Sequence, residues 1–461
     1  MVGLSIQEII DAVSGELIFN PSTKNSFLDI KVSGVEIDSR KCLQGKLFIA
    51  IRGENFDGHS FIEGAFDKGA VCCISEKYIN ISRPYIKVAD TKEALLLLAG
   101  YYRRLFGIKV VAITGSSGKT TTKDMVAAVL SQKYNTLKTS GNFNNEIGLP
   151  LTIFKINPDT EVCVLEMGMN HFGEIHNLSK VAAPDIALIT NIGVSHIENL
   201  GSRKGILKAK TEIFDYMGSS GEKILCGDDD MLKTLPGQNI IFYGSNSDNN
   251  FYAANIIYNG LDGVTFDINS GSNSFNVCLK KPGKHMVLNA LAASAVGAAL
   301  GLSNEQIKNG LESFEASDMR MEVIKSAGYT ILNDVYNANP DSMKAALDVL
   351  SHAPGRKICI LGDMLELGSQ SPPLHNEVGE YAYNSGIDII ISVGDKAYNI
   401  YEGAAKLIVV SDTENQRAIY FEGAGALFEN LNKILQKDDT ILVKASRGMH
   451  FEEIVENILL R

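Results

Sequence analysis

Tryptophan is absent from the 461 residues, and proline is scarce at 11. Even with 42 glycines the chain has far too little Gly and Pro for a collagen-like or low-complexity disordered polymer. The seven cysteines, at 42, 72, 73, 163, 226, 278 and 359, include no C-x-x-C pair and fall mostly inside apolar runs. An odd number without metal-ligand spacing speaks for reduced core thiols of a cytoplasmic protein, against a disulfide framework or a zinc site. Long hydrophobic runs are missing too. The longest, residues 287–302, falls short of the 18 or more that a spanning helix needs, and Asn289 and Ser294 interrupt it. It is expected to be a buried helix, with no membrane insertion. Positive charge is not in excess: 43 basic against 54 acidic residues leave −11, which argues against a broad nucleic-acid or anionic-membrane surface. The opening MVGLSIQEIIDAVSG has neither the basic nor the apolar region of a signal peptide.

What remains is an ordinary globular composition, 45% hydrophobic and 21% charged. At about 150 residues per domain the length suggests three domains. The first segment opens with a capping box, Ser5 with Glu8, before Ile6, Ile9, Ile10 and Val13 at helical spacing. Short strands are expected at 32–40, 46–53 and 69–75, with a turn at Asp57-Gly58. Asp90 and Glu93 cap a helix that stops at Gly107, so the first boundary falls near residue 88. Strands and helices then alternate, the mark of a mainly parallel sheet: strands at 109–114, 161–167 and 185–192, a helix from Met286 to about Leu302, and another capped by Ser303 with Gln306. FEASDM (314–319) reads as a linker. The last segment repeats the alternation, with strands at 329–334, 357–363, 388–395, 406–411 and 440–446 and a helix from Asp341. Several strands end in a polar residue, where open α/β sheets bind ligands.

The strongest local signal is Thr114-Gly115-Ser116-Ser117-Gly118-Lys119-Thr120-Thr121, between a strand and a helix. Glycines let the backbone curl so that successive N–H groups face phosphate oxygens, and the helix N-terminus adds about half a positive charge. Lys119 can reach the β- and γ-phosphates and the Thr120 hydroxyl can ligate Mg²⁺. Ile113 occupies the first glycine position of the full G-x-x-x-x-G-K-[ST] pattern, leaving the shorter G-x-x-G-K-T. Such a loop needs an acidic strand end for the metal, and Glu166 closes the next apolar strand. His196, in Thr190-Asn191-Ile192-Gly193-Val194-Ser195-His196, is a metal or phosphate contact or an ordinary structural histidine. Lys208 and Lys210 lie on a helical stretch, 206–214, whose chemistry alone reads as a solvated face.

Together GSSGKTTTK, Glu166-Met167-Gly168, NIGVSHIENLGS, AKTEIF, GKHMVLNALAA and NDVYNANPDSM resemble the Mur ligases of bacterial cell-wall synthesis, in order and over nearly the whole chain. Tyr336 to Met343, Gly141 to Gly148 and Gly362 to Gly368 point to the dipeptide-adding member, and the D-N-P-R string of the diaminopimelate-adding sibling is absent. The resemblance implies an α/β fold of three domains: a small α/β UDP-binding domain (1–88), a central P-loop ATPase domain (89–316) and a C-terminal Rossmann-like domain (317–461). It implies an ATP-dependent amide ligase that joins D-alanyl-D-alanine to UDP-N-acetylmuramoyl-tripeptide through an acyl phosphate, in the cytoplasm, as a monomer.

By the same resemblance Gly115, Ser116, Ser117, Gly118, Lys119, Thr120 and Thr121 hold ATP, with Asn289 at the adenine and Arg320, Asp334, Tyr336 and Asn337 approaching from the third domain. Thr120 and Glu166 hold one Mg²⁺ and His196 helps hold a second. Lys210 carries a CO₂-derived carbamate that serves as a metal ligand, with Lys208 as the alternative position. Ser33, Asp38, Ser39 and Arg40 grip the UDP end, followed by Arg52-Gly53 and Asp57-Gly58-His59. Asn142, Phe143 and Asn145 contact the muramoyl-peptide, and Ser446 and Arg447 lie near the incoming dipeptide. Other readings are a related ligase with a different acceptor, such as a folylpolyglutamate-type enzyme, and a nucleotide switch that hydrolyses without either peptide.

Overall fold

A computed structural model of the chain describes residues 2–19, 27–53, 56–315, 319–326, 328–411 and 416–460. The structure is mixed α/β and separates into two compact units. One comprises 1–113, 134–187 and 211–221; the other 114–133, 188–210 and 222–461. The chain crosses between them inside the strands Lys109–Thr114 and Ile186–Ile189. The expected boundary at 316/317 lies outside the described residues.

The first unit opens as expected. Ser5 and Glu8 form the capping box of Ile6–Val13, an arrangement worth about 1 kcal/mol. Its five-stranded sheet runs Glu16–Ile18, Tyr85–Lys87, Cys72–Ser75, Lys46–Ile49, Gly34–Glu36, parallel except for the first pair. Phe48, Cys73 and Tyr85 on this sheet pack against Ile62, Ala65 and Phe66 of a helix. Asp90 caps Thr91–Arg104 by accepting from Lys92 N and Glu93 N. Beyond it Val162–Glu166 lies parallel between Lys109–Ile113 and Thr136–Lys138, with Glu166 level with Ile113.

The second unit carries Glu222–Cys226, Ile240–Gly244 and Phe251–Tyr258 in parallel, then continues antiparallel through Val264–Ser270 and Asn273–Leu279. A six-stranded sheet follows in the order Glu322–Ser326, Tyr329–Asn333, Thr440–Lys444, Lys357–Gly362, Ile389–Val393, Arg417–Phe421, parallel after its first pair. Alternate residues of its central strands feed different cores: Ile358, Ile360, Ile441 and Val443 on one face, Cys359, Leu361 and Leu442 on the other. Helices cover both faces, which is why these strands read as unbroken apolar runs.

One expected strand is a helix. Residues 406–411 belong to Tyr398–Ser411, and the strand that completes the sheet is Arg417–Phe421. A short apolar run has no period of its own to separate the two states. Here Val409 and Val410 are 80% and 78% exposed, on a turn of helix rather than in the sheet. The buried helix is Lys284–Ala299, and among the described residues no helix is long and apolar enough to cross a membrane.

Candidate active site

In the second unit the phosphate loop leads into the helix Lys119–Leu130. Gly115 has φ +154° and a Cβ there would overlap the Thr190 hydroxyl; Gly118, at φ +77°, is the left-handed residue that starts the helix. Both glycines are dictated by backbone geometry. The helix N-terminus directs N–H groups that have no intrahelical partner into the loop.

Two lysines meet at one carbonyl: Gly115 O accepts from Lys119 Nζ at 2.7 Å and from Lys210 Nζ at 2.9 Å. Lys210 is 1% exposed, and among the described residues no carboxylate pairs with it. Burial, and then the neighbouring Lys119 charge, push its amine well below the ordinary lysine value. Composition alone gave that helix a solvated face; the structure turns Lys210 inward and leaves Lys208 exposed.

The Thr120 hydroxyl accepts from Arg320 Nη2 at 2.9 Å, and the guanidinium stacks 3.9 Å over Tyr336. Asn289 lies beneath Gly118 and accepts from Thr122 Oγ1 at 3.1 Å, with its Nδ2 buried and unpartnered. His196 and Glu366 face each other at 2.7 Å (Nδ1 to Oε2), both in left-handed backbone conformations, at φ 61° and 63°. Such strain gathers where a fold fixes functional groups. The imidazole, with help from Lys119, holds the Glu366 carboxyl below the usual carboxylate range.

Not every loop amide is left for a phosphate oxygen. Ser116 N and Ser117 N both donate to Asn191 Oδ1, at 3.0 and 2.9 Å, and Asn191 Nδ2 donates to Ser117 Oγ at 2.6 Å. An asparagine side chain thus takes the two amides expected for phosphate, because the neighbouring strand end brings its carboxamide into the curl. Thr121 is half-buried in the first turn of the helix.

Farther along this unit, Asp334 is ion-paired with buried Lys444 at 2.6 Å, and Lys444 Nζ also donates to Asn337 O at 2.9 Å. Asn337 itself is exposed, its Oδ1 accepting from Ala338 N. Ser446 Oγ accepts from Leu365 N at 2.9 Å and so ties down the turn that carries Glu366, while Arg447 pairs with Glu452 at 3.3 Å.

In the first unit Glu166 is 2% exposed. Its Oε1 accepts from Asn144 Nδ2 at 2.9 Å, whereas Oε2 is buried with no partner. Asn142 and Phe143 are exposed beside Asn144 in sequence, and Asn145 Oδ1 accepts from Ile147 N and Gly148 N, closing the turn ahead of the helix Gly148–Ile153. Asp38 and Arg40 bind each other in a two-point pair at 2.9 Å, which lowers the Asp38 carboxyl to about 2. Ser39 begins the short helical turn that Asp38 caps, and the Ser33 hydroxyl lies against Gly45. His59 and Lys77 both bind Asp57.

Among the described residues no three His, Cys, Asp or Glu side chains cluster with metal-ligand geometry. The candidate ligands are of mixed type: a hydroxyl, a carboxylate with an orphaned oxygen, an imidazole and a buried amine. Sequence reasoning missed Asn144, Asn191, Ser195, Asn339, Glu366 and Lys444. Lys444 lies inside an expected strand and the others inside motifs already singled out, where nothing local marks them.

Three family models match in succession: "Mur ligase family, catalytic domain" over 31–103, "Mur ligase middle domain" over 113–297 and "Mur ligase, glutamate ligase domain" over 319–447. The UDP-N-acetylmuramoyl-tripeptide--D-alanyl-D-alanine ligase of Bacillus subtilis is 40% identical, covering 100% of this chain and 99% of its own. MurF from Acinetobacter baumannii superposes with a TM-score of 0.90 at 32% identity, over 100% of this chain and 99% of that one. MurF from Thermotoga maritima, solved in complex with ADP, gives 0.82 at 30% identity over 92% and 97%. On this full-length agreement the chain belongs to the Mur ligase family.

Proposed function

We propose that this protein joins D-alanyl-D-alanine to UDP-N-acetylmuramoyl-tripeptide at the expense of ATP, a step of peptidoglycan precursor synthesis. A carboxylate resists amines until one of its oxygens becomes a good leaving group. The tripeptide's terminal carboxylate attacks the γ-phosphorus of ATP, ADP departs, and the dipeptide amine adds to the resulting acyl phosphate. The tetrahedral adduct loses phosphate and a proton to leave the amide. The chain's contribution is placement and charge neutralisation.

The observation that carries this reading is the convergence of Lys119, Lys210, Thr120 and Arg320 on one phosphate loop. Lys119 and Arg320 supply positive charge to the transferring phosphoryl group. Gly115, Gly118 and the first-turn amides through Thr121 cradle the nucleotide, with Asn289, Asp334 and Asn337 bordering it. In the second unit the Thr120 hydroxyl and His196 suit Mg²⁺, as in the first does the orphaned oxygen of Glu166; a bound ion would offset phosphate charge. Lys210, whose amine burial and the Lys119 charge push well below the ordinary lysine value, is suited to add through its lone pair to CO₂, giving a carbamate with release of a proton. Ser33, Asp38, Ser39 and Arg40 serve the UDP end, Asn142, Phe143 and Asn145 the muramoyl-peptide, and Ser446 and Arg447 the dipeptide. Residues 1–88, 89–316 and 317–461 act as substrate, nucleotide and acceptor domains, in the cytoplasm where ATP is available.

Phosphate release measured with each substrate alone and with both tests the reading. Turnover that needs both UDP-N-acetylmuramoyl-tripeptide and D-alanyl-D-alanine supports it; release indifferent to them supports a nucleotide switch instead.

A further inference from the structure

Ser116 has every polar group engaged inside the second unit. Its amide meets Asn191, its hydroxyl accepts from Gly193 N at 2.9 Å, and its carbonyl accepts from Ser195 Oγ at 3.1 Å and from Asn339 Nδ2 at 3.3 Å. Asn339 Nδ2 also donates to Ser195 Oγ at 2.8 Å. The other end of the same carboxamide is a helix cap: Oδ1 accepts from Ser342 N at 2.8 Å at the start of Pro340–Ser351. One side chain therefore begins a helix and grips the phosphate loop 223 residues earlier.

We propose that Asn339 is a positioning residue that fixes the phosphate loop from behind, through the Ser116 carbonyl and the Ser195 hydroxyl, so that the loop is preorganised for nucleotide. This rests on the ATP-ligase reading above. Two struts reach the loop from the 319–340 segment, and they differ. Arg320 meets the Thr120 hydroxyl, a group suited to metal and nucleotide, so its bond must rearrange when these bind. Asn339 meets a carbonyl, which offers nothing to a phosphate anion. Its bond can stand throughout the cycle, and the shared Ser195 hydroxyl carries the constraint to the turn that holds His196. Preorganisation of this kind raises affinity by removing the cost of ordering the loop.

The two roles of Asn339 separate chemically. Aspartate and serine are as good as asparagine at a helix start, so Asn339→Asp and Asn339→Ser keep the cap. The first has no side-chain donor, and the second is too short to reach Ser116. In the full-length protein both are expected to melt with the wild type, to bind ADP about tenfold more weakly and to raise KM for ATP. KM for the two peptide substrates stays unchanged. In a cycle with Ser195→Ala, the ADP affinities should be non-additive by about threefold or more. Wild-type ADP affinity in Asn339→Asp overturns the proposal, as do strictly additive losses, or a melting midpoint that falls in step with affinity in both variants. Phosphate release without D-alanyl-D-alanine in the wild type would remove the ligase reading; the ADP cycle would still judge Asn339.

Discussion

Among the buried lysines of the second unit, Lys210 at 1% and Lys444 at 2% exposure lie at nearly the same depth in opposite surroundings. Lys444 has the Asp334 carboxylate at 2.6 Å and the Asn337 carbonyl at 2.9 Å. Lys210 has one carbonyl and a second lysine sharing it. A buried cation with a carboxylate is a structural joint; one denied a counter-charge is driven toward the neutral, nucleophilic amine. The difference teaches that depth of burial says nothing about role until the partners are counted.

The sharpest way to break the comparison is to remove each lysine's charge while keeping its bulk. Lys444→Met leaves the Asp334 carboxylate uncompensated and is expected to cost about 3 kcal/mol of stability, read from chemical denaturation. Lys210→Met removes a cation that has no carboxylate, so stability should hold or rise, while turnover falls by about 100-fold or more. In Lys210→Ala, which leaves room at the site, partial return of turnover on adding a short carboxylic acid would mark the lost group as a carboxylate-like ligand. If the two variants destabilise alike, the contrast is wrong.

A smaller effect sharpens the same contrast at the shared carbonyl. Gly115→Ala, at φ +154° and against Thr190, should distort the loop and weaken ADP binding by about tenfold, with less loss of stability than Lys444→Met. Equal ADP affinity by titration calorimetry would show that the curl tolerates a side chain.

The residues that were legible beforehand share a property: their chemistry is local. The curl of Gly115 to Thr121, the Ser5–Glu8 and Ser303–Gln306 boxes and the Asp90 cap are set by neighbours a few positions away, and the structure keeps them. Glu166 was legible because a phosphate loop calls for an acidic group at a neighbouring strand end, and Glu166 closes the next apolar strand. The antiparallel pair Val264–Ser270 and Asn273–Leu279 went unread although Val264, Phe266 and Ile268 alternate buried with half-buried Thr265, Asp267 and Asn269. Lys210 was legible only through the family motif, since its helix gives no sign of which face is covered. Asn191, Glu366 and Lys444 were invisible because their partners lie 74, 170 and 110 residues away, beyond any periodic pattern.

The smallest prediction concerns pH, and its sign follows from which state holds the proton. In the unfolded chain Lys210 keeps the ordinary lysine value of 10.5; in the fold, burial and Lys119 depress it well below that. Between the two values the unfolded state binds more protons, so stability rises with pH across that window and levels off above 10.5. The penalty is full only below the depressed value, where the buried amine must also be charged. Denaturation midpoints of CO₂-depleted, nucleotide-free protein should therefore climb through the mildly alkaline range in the wild type and climb less in Lys210→Met. A wild-type profile that the substitution leaves unchanged would mean that Lys210 keeps its proton in the fold, and with it the cationic role that its surroundings are built to deny.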